Sequence, residues 1–242
     1  HMRGSMKAYE STLQDAYNQA KNIDSLVADL DLAAQKYGGL AEQEIRRGVL
    51  TGIAGAGGVA DSLLATQKGF SDLAALIRTK SKYYDDQSML GRAAIGEMNQ
   101  LLTSDGAVMQ RHSAFTAAAS TVGNVVGELN AIELTQLIAR SARGFSGGTG
   151  LFSLSLKNGK LATAQGEALN RIASDIASTG ERIAVAAETL GKAKPVTSPS
   201  FEQISLAKAV FIYAGDLIPY WAGGIGLDLM PVVLILLLML MF

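Results

Sequence analysis

The chain has 242 residues, with 21 Lys and Arg against 22 Asp and Glu and a formal net charge of −1. That balance offers no basic surface for nucleic acid and no acidic tail. Cysteine is absent and only two histidines are present, which excludes disulfides, thiolate metal sites, cysteine nucleophiles and multi-histidine centres. With four prolines and 26 glycines, a mainly α fold punctuated by glycine is expected.

Residues 1–5, His1-Met2-Arg3-Gly4-Ser5, read as an expression scar and are set aside from fold reasoning. A helical bundle domain is expected over 6–193. Within it, residues 7–47 carry the clearest period. Tyr9, Leu13, Ala16, Ala20, Ile23, Val27, Leu30, Ala34 and Tyr37 follow one another at alternating spacings of four and three. This is a coiled-coil seam, and its alternation of large residues with alanine implies a closely approaching partner helix.

The glycine-rich run from Gly48 to Gly58 breaks the helix. It lacks the Gly-Lys-Ser/Thr ending of a Walker loop, and a helix precedes it where a dinucleotide fingerprint needs a strand. A hairpin tip is the plainer reading. Residues 48–60 are uncharged, so Gly52, Ile53, Gly55, Gly57 and Gly58 also form a candidate contact tip for lipid or a partner protein.

The helical pattern resumes through Val59, Leu63, Phe70, Leu73, Ile77 and Tyr84, weakens near Lys80 and Gly91, and returns at Met98 and Leu101. A kink or short break is expected there. Together the two segments make a long antiparallel helical hairpin. A third helix is expected over about 107–141 and a fourth over about 164–192. Between them, Leu151-Phe152-Ser153-Leu154-Ser155-Leu156, followed by Asn158-Gly159 and the weak strand Lys160-Leu161-Ala162-Thr163, predicts a small β-hairpin near 151–163.

Residues 194–200, with Pro195 and Pro199, read as a linker, and 201–215 as an amphipathic juxtamembrane helix capped by Ser200. From Leu217 to Phe242 the sole charge is Asp228, and a spanning helix needs about 20 apolar residues. A C-terminal transmembrane helix is therefore expected within 216–242, as a tail anchor or as part of a longer membrane protein. Tyr220, Trp221, Asp228 and Pro231 mark the membrane entry. Asp228 and Pro231 suit the first turn of a helix, and the two aromatic residues suit the interface.

No catalytic constellation emerges. His112 stands without a Gly-x-Ser-x-Gly elbow. Tyr83-Tyr84-Asp85-Asp86 reads either as a cation-binding cluster or as a packed tyrosine beside a solvated turn. No cofactor, metal site or small-molecule substrate is implied. The expectation is a non-enzymatic, membrane-anchored domain acting through protein–protein contacts as an assembly, scaffold or sensor element. Its expected partners are membrane lipid and further subunits, first among them copies of itself, and its soluble part is placed extracytoplasmically. The alternative is a helical pore-forming protein, suggested by the uncharged stretches at 48–60, 113–127 and the C-terminus.

Overall fold

A computed structural model of the protein describes residues 2–55, 57–105, 107–147, 163–199 and 230–231. In the first 199 residues, six α-helices and one 3₁₀ turn occur in chain order among the described residues: α1 (Met2–Lys21), the 3₁₀ turn (Asn22–Asp24), α2 (Ser25–Arg47), α3 (Gly58–Thr103), α4 (Val108–Glu128), α5 (Ile132–Gly147) and α6 (Thr163–Gly191). The fold is mainly α, a helical bundle, and no strand occurs among the described residues. Helix begins at Met2, inside the stretch set aside as a scar.

The first helix is interrupted where Asn22, Asp24 and Ser25 cluster. Such side chains compete for backbone groups, and the Ser25 hydroxyl donates to the Asn22 carbonyl at 2.7 Å. A 3₁₀ turn advances each residue further than an α-helix, so three residues rotate the following helix by about 60°. That rotation explains a shift in the seam. Tyr9, Leu13, Ala16, Ala20, Ile23, Leu30, Ala34 and Tyr37 are buried as an inward row. Val27 is half-buried, and Leu26 takes the inward place beside it.

α3 runs unbroken for 46 residues, about 69 Å at the helical rise, which corrects the break expected near Lys80 and Gly91. Its inward positions there are filled by small residues: Ser81, Ser88, Gly91 and Ala94 are all buried. The fading apolar signal marks close helix approach and not a helix end. A Cβ on Gly91 would sit 2.8 Å from the Leu13 methyls of α1 and 3.2 Å from Val125 Cγ1 of α4.

The expected third helix is two. After Glu128 the chain bends, with Leu129 and Ala131 buried. The Asn130 side-chain oxygen accepts the Ile132 N–H at 3.1 Å, an Asx turn that restarts the chain as α5. α6 opens at Thr163, so that residue is helical where a strand end was expected. The rest of the expected β-hairpin lies outside the described residues.

α2 packs along α3 and α5 along α6, while α1 and α4 flank α3. One end of the bundle is thus built by α2, α3, α5 and α6, the other by α1, α3 and α4. Aromatic rings join the two helix pairs at the first end. Tyr37 and Phe70 lie 5.8 Å apart, and Phe70 and Phe145 lie 4.4 Å apart between centroids.

The chain divides into His1–Pro199 and Ser200–Phe242. Of the second unit only Met230 and Pro231 are described, both helical. Among the described residues no helix is long and apolar enough to cross a membrane. The expected amphipathic helix 201–215 lies outside the described residues. So does the expected transmembrane segment, with Tyr220, Trp221 and Asp228, apart from Met230 and Pro231.

Candidate functional site

The α2–α3 hairpin tip is built around a buried carboxylate. Glu44, in the last turn of α2, is 2% exposed. It accepts the Leu50 N–H at 2.7 Å and the Thr51 N–H at 3.2 Å, and it also accepts the Thr51 hydroxyl. The two oxygens of this one side chain thus hold three donors of the loop, two N–H groups and one hydroxyl.

Gly48 closes α2 in the left-handed region, φ 60°, with its N–H on the Glu44 carbonyl at 2.8 Å. Any Cβ there would collide with the Ile53 backbone, so glycine is required twice over. The Gly52 N–H then returns to the Gly48 carbonyl at 2.6 Å, and Gly52 itself has φ 74°.

The result is a loop with one apolar anchor inside and two outside. Leu50 is buried, whereas Val49 is 56% and Ile53 75% exposed. At the base of the tip, Ile45 and Leu64 are also exposed. Of the five tip residues singled out from sequence, Gly52, Ile53, Gly55, Gly57 and Gly58 are all exposed. Glu44 escaped that reading, because a glutamate in a helical run looks like surface and only the fold turns it inward.

A polar network ties α1 to α3 elsewhere. The Tyr17 hydroxyl donates to Asp85 Oδ1 at 2.8 Å. Lys21 Nζ pairs with Asp24 at 2.9 Å and Asp85 at 3.3 Å, and it also donates to the Ser81 hydroxyl. The hydrogen bond from Tyr17, joined by Lys21 and opposed by partial burial, holds the Asp85 carboxyl below its ordinary value. Tyr83 donates to Glu128 at 2.7 Å, and Tyr84 is buried. The Tyr83–Asp86 run thus sits in mid-helix, with its first three members absorbed into packing and interhelical bonds. The solvated turn expected beside it is absent.

Other concavities are open grooves. One of about 540 Å³ lies between α3 and the α4–α5 bend, with Lys80, Tyr83, Glu128 and Glu133 on its walls. His112 is half-buried in α4. No group of three His, Cys, Asp or Glu that could hold a metal occurs among the described residues. Searched against known protein families, curated proteins and solved structures, the chain matches none of them.

Proposed function

We propose that this protein is a non-enzymatic, membrane-anchored helical domain that works through protein–protein contact, and that the α2–α3 tip is its contact point. The observation that carries this is the tip's construction. A buried carboxylate and a left-handed glycine organise a loop whose two β-branched side chains face water. A loop that spent Glu44 only on closing the hairpin would have no need of exposed Val49 and Ile53. Ordering such side chains before contact lowers the cost of binding.

The membrane part of the proposal rests on the apolar composition of 216–242, with Tyr220, Trp221, Asp228 and Pro231 at its entry. The small hairpin near 151–163 remains part of the same proposal, on the Leu-Ser alternation and Asn158-Gly159. The seam lies within the bundle core, so assembly with further copies is assigned to the tip and an extracytoplasmic placement is retained.

The test is light scattering of the full chain in detergent beside Val49→Asp/Ile53→Asp. Wild type is expected to assemble, and the variant to lose mass per particle with its helical circular dichroism unchanged. An unchanged assembly would overturn the tip as the contact. Release of vesicle-entrapped dye by the full chain would instead support the membrane-inserting alternative.

A further inference from the structure

The chain does not leave the bundle where α6 stops. After Gly191 it turns once, with the Lys192 N–H on the Glu188 carbonyl at 3.0 Å and the Ala193 N–H on the Leu190 carbonyl at 3.3 Å. Residues 194–199 then run without helix along two other elements. From α1, Gln19 Nε2 donates to the Lys194 carbonyl at 3.2 Å. From α4, Gly123 faces Ser198 so closely that a Cβ there would lie 3.2 Å from the Ser198 hydroxyl and 3.7 Å from its Cβ.

Val196, Ser198 and Pro199 are half-buried, while Lys192 to Pro195 are exposed. A free tether would show neither this alternation nor contacts to helices 104 residues apart at Gln19 and Gly123. Two features lower the cost of seating it. Pro195 and Pro199 restrict their own backbone before docking, and Gly123 leaves room for the passing chain.

We propose that residues 192–199 are a docked strap that clamps the chain leaving α6 across α1 and α4. Pulling on the strap must then either move α1 and α4 or unseat it. The device is independent of the tip and of what the tip binds.

The absence of cysteine makes the test clean in the full chain. Gly123→Cys/Ser198→Cys should oxidise readily, because the Cβ separation of 3.7 Å falls in the disulfide range of about 3.5–4.5 Å. The readout is a faster-migrating band on a non-reducing gel. Gly127→Cys/Ser198→Cys, one turn along α4 where a Cβ meets nothing within 4 Å, should stay reduced. Equal oxidation of both pairs, or none in the first, overturns the strap.

A second measurement covers the case in which the disulfide variant does not fold. Spin labels on Ser120→Cys and Thr197→Cys, both exposed positions, should give a narrow distance distribution. Adding Gly123→Leu, which fills the seat, should broaden it without loss of helix. A distribution equally broad with and without that change overturns the proposal.

Discussion

The Tyr37 hydroxyl on α2 donates a 2.9 Å hydrogen bond to Asp175 Oδ2 on α6, and this bond ties the α2–α3 hairpin to the α5–α6 pair. The same hydroxyl shares a 3.2 Å hydrogen bond with Thr179, and Lys36 meets Asp175 at 2.5 Å. Tyr37 is fully buried beneath them. A single phenol therefore fills the core with its ring and spans two helix pairs with its tip.

Removing that hydroxyl tests how much the tie stabilises. Tyr37→Phe keeps the ring stacked on Phe70 but deletes the donor, and the expected loss is about 1 kcal/mol. For a domain of this size that is a fall of about 2–4 °C in Tm, measured by thermal circular dichroism. No change in Tm would mean that water replaces the phenol without cost.

Tyr37 also predicts an alkaline transition. Burial first, then the bond to Asp175, pushes its hydroxyl up from 10.0 to about 12. The fold favours the protonated phenol, so its contribution is fully present below pH 10.0 and is lost as pH rises through about 12. Ultraviolet titration should show one fewer tyrosine ionising around pH 12 in Tyr37→Phe than in wild type.

Acid works through the carboxylates. Burial alone would raise Asp175, but hydrogen bonds from Lys36 and Tyr37 outweigh it and hold the carboxyl below 3.8. The Tyr17 bond does the same for Asp85. Both contributions are present above pH 3.8 and fade as pH falls through the lower folded values. Stability followed by urea midpoint should drop below about pH 4. The drop should be shallower in Tyr17→Phe/Tyr37→Phe, and identical slopes would contradict the assignment.

Two glycines should respond in opposite directions. A Cβ on Gly180 of α6 would strike the Ala142 carbonyl of α5. That is backbone that cannot rotate aside, so Gly180→Ala should cost about 1–3 kcal/mol through overpacking. Gly96 in α3 is exposed and meets nothing within 4 Å. Gly96→Ala should therefore stabilise by about 0.5–1 kcal/mol through helix propensity. Chemical denaturation of the two variants beside wild type decides both.

At the tip, Glu44→Ala leaves the Leu50 and Thr51 N–H groups without their carboxylate. The expected cost is about 1–3 kcal/mol, with loss of the dispersed amide signals of 48–53 in NMR spectra. Val49→Ser/Ile53→Ser should leave stability within about 0.5 kcal/mol of wild type, as for other surface changes. A large loss of stability there would show that these side chains serve the fold and not a contact.

The amino-acid sequence by itself determined the helical class and the span of α6, because these follow from local periodicity and from residues that break it. Tertiary packing decided the rest. Ser81, Ser88 and Gly91 looked like a weakening helix until neighbouring helices were seen to need their small size. Leu26 took the inward place from Val27 directly after the 3₁₀ turn. Glu44 was indistinguishable from a surface glutamate until the loop folded back to donate to it, and within the 194–200 stretch read as a linker only the fold brings Gln19 beside Lys194 and Gly123 beside Ser198. Periodicity reports which face of a helix is apolar; which partner meets that face, and how closely, depends on contacts between residues far apart in the chain.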